Sequence, residues 1–269
     1  MKINTNNMLR LLLLLCSVAL STLCCVANNR EGKIISVTSD GATRRALVYA
    51  PKSQKSPVPL VFVFHGRGGS MHGISKKLDI HNFWSEAIVV YPQGMWCEGG
   101  YRDGFGWVIS DTEDEGRDIR FFDVLLEYLE KNYNVDSRNV FATGHSNGGG
   151  FTYALWAFRG DKFKGFAPSA SSTRRLGENA DKRKPKPVFI MGGELDEIVN
   201  IERVRRDVKV AKQINGCSGS SQKFTKSTTI YYGKNGAHVV DATHPYGHDI
   251  QRTMLPEIVE FFKYLRKDK

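Results

Sequence analysis

The sequence predicts an α/β domain: a mostly parallel central sheet with helices on both faces and an antiparallel hairpin at its N-terminal end. Three observations predict it. Short apolar runs rich in β-branched and aromatic residues alternate with stretches of helical periodicity, the pattern of a sheet covered on both sides. The first two such runs are instead joined by Asp40-Gly41, a pair suited to a tight hairpin turn. A later run at 139–143 leads into Gly144-His145-Ser146-Asn147-Gly148 and then a helical pattern.

The chain begins with a segment that reads as a leader. Lys2 and Arg10 make a basic start, an apolar run extends from Leu11 to about Val26, and Cys25 and Ala27 are small residues at the positions a signal peptidase inspects. The run is short for a spanning helix. Residues 1–27 are therefore expected to be a cleaved signal peptide, 28–269 one α/β domain, and the protein secreted or periplasmic. The formal charge is +10, of which Lys2 and Arg10 supply two. That surplus favours acidic polymers such as uronate-bearing polysaccharides. Nucleic acid is not an expected partner, because the basic runs at 174–175, 182–184 and 267–269 read as solvated loops and a tail. Of five cysteines, Cys97 and Cys217 lie beyond the leader. In an oxidising compartment these two could pair across a long loop. No C-x-x-C or H-x-x-x-H spacing suggests a metal site.

Strands are predicted at 34–38, 45–49, 60–64, 87–91, 139–143, 165–168, 188–191, 228–232 and 238–240. Helices are predicted at 118–132, 149–157, 202–213 and 255–265. In the first helix Ile119, Phe122, Leu125, Leu126 and Leu129 share one face, and Asp118 suits its N-terminal end. The stretch 94–116 escapes the alternation. A loop of that length in a compact domain is usually functional, and this one carries Trp96, Tyr101, Phe105 and Trp107. These aromatics are expected to wall a substrate cleft, Trp107 first among them.

Strand, G-x-S-x-G, helix is the nucleophile elbow of an α/β-hydrolase, which makes Ser146 the candidate nucleophile. A serine hydroxyl at its ordinary pKa needs a base. In this fold the order along the chain is serine, acid, histidine. Only His238, His244 and His248 come late enough. His238 falls in a predicted strand; His248 lies in the loop before the last helix and is the candidate base, with His244 its rival. The acid should follow the strand at 188–191, where Gly192-Gly193 leads to Glu194, Asp196 and Glu197. Asp196 is the candidate, with Glu197 the lesser alternative. Two backbone N–H groups must meet the developing oxyanion. One is assigned to Asn147, after the nucleophile. The other is assigned to Arg67, in the glycine-rich loop His65-Gly66-Arg67-Gly68-Gly69. His65 is expected to brace that loop.

These motifs, with Tyr91-Pro92-Gln93-Gly94, Gly193-Glu194-Leu195-Asp196-Glu197, Ile214-Asn215-Gly216-Cys217 and Gly247-His248, resemble the secreted feruloyl esterase-like and polyhydroxybutyrate depolymerase-like branch of the α/β-hydrolases, carbohydrate esterase family one included. The resemblance covers nearly all of 28–269. It implies hydrolysis of carboxylic esters on plant cell-wall polysaccharide, foremost release of ferulic acid from arabinoxylan, by a monomer needing no metal or organic cofactor. Acetylxylan and polyhydroxyalkanoate esters are the alternative substrates. A catalytically inert glycan-binding protein on the same fold is the non-enzyme alternative, against which the retention of Ser146, Asp196 and His248 argues. Relatives often follow Gly-His with Trp-Pro, where this chain has Asp249 and Ile250.

Overall fold

The computed structural model describes residues 30–99, 102–109 and 116–267. The expected leader and Tyr101 lie outside the described residues. Twelve strands run in chain order: β1 Lys33–Ser39, β2 Ala42–Tyr49, β3 Val58–Phe64, β4 Ile88–Pro92, β5 Met95–Cys97, β6 Gly104–Gly106, β7 Val135–His145, β8 Gly165–Ser169, β9 Val188–Gly193, β10 Ser221–Lys223, β11 Thr229–Tyr231 and β12 Val239–His244. The helices are α1 Met71–Lys77, α2 Ile80–Phe83, α3 Arg117–Asn132, α4 Asn147–Arg159, α5 Ile201–Ile214 and α6 Leu255–Lys267.

Ten strands form one sheet in the order β1-β2-β4-β3-β7-β8-β9-β12-β11-β10. The six from β4 to β12 are mutually parallel. The β1–β2 hairpin joins antiparallel through β2 to β4, as expected. The far edge is antiparallel as well, β12 to β11 to β10, which the sequence reading did not resolve.

The central strands are apolar almost throughout because both faces are covered. In β3, Leu60, Phe62 and Phe64 belong to one core cluster and Val61 and Val63 to the other, the period of two that a pleated strand imposes. Helix α3 buries Ile119, Phe122, Leu125, Leu126 and Leu129 on the first face, and α4 and α5 contribute Phe151, Leu155, Val204 and Val208 there. Met71 and Ile74 of α1 and Ile258, Phe261 and Phe262 of α6 belong to the second cluster. Asp118 is buried as well: it binds Arg44 at 2.7 Å and accepts the N–H of Val108, tying β2 and the chain after β6 to the start of α3. Removing one partner would strand a buried charge, a loss of about 3–5 kcal/mol.

Three expectations need correction. The stretch 94–116 is not all irregular, since β5 and β6 form a small hairpin within it. Their three-residue length, with glycine at two of six positions, leaves no alternation to read. Strand β12 starts after His238 and runs on to His244, so His238 is outside it. Cys97 and Cys217 are not paired; both thiols are free. Cys97 is on β5, where Arg117 Nη2 lies 3.0 Å from its sulfur, and its hairpin is bonded to the loop after β3. Cys217 packs beside Tyr231 on β11. Strands β7, β8, β9 and β12 separate β3 from β11, whereas a disulfide needs Cα atoms within about 7 Å.

Candidate active site

Strand β7 ends in a turn so sharp that Ser146 takes φ 56°, ψ −117°, a conformation L-residues rarely adopt. Two bonds hold it there. Ser146 N–H donates to Ser169 O at 2.9 Å, and Gly150 N–H donates to Ser146 O at 2.9 Å, closing the first turn of α4. The flanking glycines are forced by close approach. A Cβ on Gly144 would lie 2.5 Å from Gly148 O, and one on Gly148 would lie 2.6 Å from His65 O. The helix thus starts flush against the end of β3.

Asp196 leaves β9 in a turn and its side chain is wholly buried. Its Oδ1 accepts the N–H groups of Ile198 and Val199, each at 2.8 Å. Its Oδ2 lies 2.8 Å from Nδ1 of His248. The two loops are stapled by backbone: Glu194 N–H donates to His244 O and Leu195 N–H to Tyr246 O. The carboxylate–imidazole spacing is therefore set by sheet-like bonding, not by side-chain chance. With Nδ1 on the carboxylate, Nε2 is the nitrogen left to face substrate. No described hydrogen bond joins Ser146 Oγ to His248; contacts of that kind commonly tighten only with substrate in place.

The rivals lie elsewhere. His244 ends β12, is buried, accepts the Tyr246 N–H at 3.3 Å, and is pushed down in pKa by that burial. Glu194 faces Arg205 at 3.3 Å and Glu197 is exposed.

Asn147 begins α4, and its side chain is fully engaged: Oδ1 accepts Trp107 N–H at 2.7 Å and Nδ2 donates to Trp107 O at 3.0 Å. Across from it the loop 65–69 is braced by His65, whose Nε2 accepts Gly94 N–H at 2.9 Å while Nδ1 donates to Gly66 O at 2.8 Å. Burial lowers the pKa of His65, which keeps that neutral tautomer. Gly68 N–H donates to Phe105 O, fastening the loop to the β5–β6 hairpin. No described hydrogen bond takes the backbone N–H of Arg67 or of Asn147.

His145 is a residue the sequence reading passed over. Its ring lies 4.9 Å from that of His248. Burial, and secondarily the charge His248 would carry, push its pKa down to about 3. It is therefore a neutral wall beside the imidazole of His248.

Ser146, His145 and His248 open into a cavity of about 750 Å³. Ile74, Ile109, Ile198, Val199 and Ile250 supply its apolar wall, and no described Phe, Tyr or Trp lines it. The expected aromatic wall is thus a further correction. Trp107 is 1% exposed, packs 5.1 Å from both Phe64 and Phe151, and donates its indole N–H to His65 O at 2.8 Å. It braces the loop from below. Burying a large ring with its one donor satisfied outweighs leaving it in a cleft. Trp96 and Phe105 pair edge-on at 5.6 Å and point to solvent, 52% and 47% exposed. No group of three or more His, Cys, Asp or Glu able to hold a metal occurs among the described residues. No described helix is long and apolar enough to cross a membrane.

Residues 113–184 match the prolyl oligopeptidase family. The chain is 26% identical over 242 residues to feruloyl esterase D of Neurospora crassa, covering 82% of this chain and 79% of that one. It is 30% identical over 196 residues to a bifunctional acetylxylan esterase/xylanase of Neocallimastix patriciarum, covering 70% of this chain but 26% of that protein. Among solved structures, the acetyl xylan esterase from Aspergillus awamori superposes with a TM-score of 0.65 at 14% identity, over 87% of this chain and all of that one. A ferulic acid esterase superposes with a TM-score of 0.64 at 17% identity, over 88% of this chain and 100% of that one. At those identities the structural likeness establishes the α/β-hydrolase fold.

Proposed function

We propose that this α/β-hydrolase of the feruloyl esterase-like branch, a carboxylic-ester hydrolase, is a serine esterase of plant cell-wall xylan, exported by way of residues 1–27. The observation that carries the reading is the Asp196–His248 contact at 2.8 Å, whose imidazole lines the same cavity as a serine held at positive φ.

His248 Nε2 takes the proton of Ser146 Oγ as that oxygen attacks the acyl carbon. Asp196 holds the imidazole by Nδ1 and stabilises the imidazolium that forms, without itself taking the proton. The carbonyl oxygen becomes an oxyanion and accepts the N–H groups of Asn147 and Arg67, each such donor contributing about 10²–10³ in rate. Imidazolium returns its proton to the leaving alkoxide, and the glycan departs as an alcohol. Water, deprotonated by His248, then releases the acid from the acyl-serine.

The relatives divide between feruloyl and acetylxylan esters. A cavity of about 750 Å³ has room for a hydroxycinnamoyl group with its sugar, and we take feruloyl ester as the substrate. The aliphatic lining favours the second reading, an acetyl ester, because a stacking ring is missing from the described wall. A fluorophosphonate probe should label wild-type protein at Ser146. Ser146→Ala should lose labelling and at least about a thousand-fold in kcat on every ester, with its fold retained. Methyl ferulate and 4-nitrophenyl acetate then separate the two acyl readings. Turnover of the acetyl ester alone would overturn the feruloyl choice, and an active Ser146→Ala enzyme would overturn the mechanism.

A further inference from the structure

The mouth of the cavity carries five cationic side chains, none of which makes a described ion pair. Arg67 follows β3, Lys77 ends α1, Arg102 lies between β5 and β6, Arg174 follows β8, and Arg203 is in the first turn of α5. All five line the cavity, against one lining carboxylate, Asp249. The carboxylate of Asp196 lies beneath and is taken by His248 and two backbone N–H groups. The acidic run 111–115 lies outside the described residues.

Elsewhere on this molecule arginines meet carboxylates: Arg44 with Asp118, Arg120 with Asp40, Arg159 with Asp123, Arg205 with Glu194, Arg252 with Asp79. Around the cavity the guanidinium of Arg67 reaches Gly104 O at 3.3 Å, and that of Arg102 reaches Arg67 O at 2.9 Å, both neutral carbonyls. The side chains of Lys77, Arg174 and Arg203 make no described hydrogen bond or ion pair. Like charges converging from five separate segments repel one another, a cost that an anionic ligand removes.

We propose that the cavity mouth is a carboxylate-binding site, and that the ester cleaved at Ser146 is carried by a uronate-bearing glycan. The assignment to the glycan follows from exposure. Lys77, Arg102, Arg174 and Arg203 are exposed at the rim, where they meet the part of the substrate that stays outside the acyl pocket. A polymer with carboxylates spaced along it satisfies several such cations at once; an acyl group lodged inside reaches few of them. Arginine suits the task because its planar fork takes a carboxylate through two bonds.

This inference rests on the esterase reading above, and the test separates the two. Acetylated or feruloylated xylo-oligosaccharides, with and without a glucuronosyl substituent, are compared by kcat/KM. The substituted ester should be preferred about tenfold at low ionic strength, as two or three exposed charge pairs would give. The preference should fall to about twofold in 0.5 M NaCl as the charges are screened. Arg174→Gln with Arg203→Gln should lower the ratio by severalfold, with an unfolding midpoint no lower than that of the wild type. A second pair, 4-nitrophenyl hemisuccinate against 4-nitrophenyl acetate, puts the carboxylate on the acyl half. A larger preference in that pair overturns the assignment to the glycan. A ratio of one or less between the oligosaccharides, or one that salt does not move, overturns the carboxylate site. Calorimetric binding of the unesterified oligosaccharides to Ser146→Ala reads the site without turnover, and equal affinity for both overturns it. Failure of the enzyme to hydrolyse even the uncharged esters counts against the esterase reading alone.

Discussion

Replacing Gly148 by alanine sets two physical effects against each other. Gly148 lies in the first turn of α4, where helix propensity favours alanine by about 1 kcal/mol. The added Cβ, however, would stand 2.6 Å from His65 O and 2.6 Å from the carbonyl carbon of Phe64. These are backbone atoms at the end of β3, a central strand paired on both sides, so neither can swing away as a side chain would. Overpacking against side chains costs about 1–3 kcal/mol, and against fixed backbone the upper end or more applies. The steric cost wins, leaving a net destabilisation of about 2 kcal/mol or more. Relief must come from moving the 65–69 loop away from α4, which carries the Arg67 N–H away from Ser146. A displacement of about 1 Å at such a site costs about a hundredfold in rate. Urea unfolding and kcat/KM on methyl ferulate measure the two losses separately. Gly160→Ala at the other end of α4 is the control: its helical φ of −55° accepts alanine, and the nearest neighbour is Trp156 Cδ1 at an ordinary 3.6 Å. It should be neutral or gain up to about 1 kcal/mol. A Gly148→Ala protein as stable and as active as wild type would refute the close contact of β3 with α4.

Three further outcomes are expected. Asp196→Asn should lower kcat about 10⁴-fold with little change in KM, because an amide no longer fixes the imidazole tautomer; retention of a tenth of the activity would discount Asp196 as the orienting acid. His248→Gln should be as damaging as loss of the serine, whereas His244→Gln should cost about 1 kcal/mol of stability and little rate; the reverse ranking in steady-state kinetics would move the base. Stability should fall in acid, because burial holds His145 at about 3 and His81 at about 4, both below the ordinary 6.5. The unfolded chain takes up these protons first, so the contribution is whole above pH 6.5 and drains away as pH falls towards 4. Each group accounts for roughly 2–3 kcal/mol, and a urea midpoint that stays flat from pH 6.5 to 4 would contradict their burial as neutral rings.

Strands of continuous Val, Phe and Leu and helices with one apolar stripe declare themselves because burial on two faces, or on one, leaves a period in the chain. The β1–β2 hairpin was legible for a similar local reason, the Asp40-Gly41 turn with both residues at positive φ. The short α1 and α2, the three-residue β5 and β6, and the antiparallel far edge were not, since a few residues carry too little pattern.

At the site the division is the same. Ser146 and the two loops around it were marked by glycines, whose spacing reflects backbone approach within a few residues. Asp196 and His248 were narrowed by chain order, and backbone bonds between their loops bring them to 2.8 Å. The direction of Trp107 and the separation of Cys97 from Cys217 were beyond the sequence. So were the neutral wall of His145 and the unpaired cations at the cavity mouth. The sequence by itself determined the α/β architecture and the position of the sharp strand-to-helix turn that carries Ser146, because those depend on periodicity and local backbone geometry. Only the tertiary structure decided which distant side chains meet, which are buried and which charges stand without a partner, because contacts between remote segments are set by packing of the whole sheet and leave no local trace.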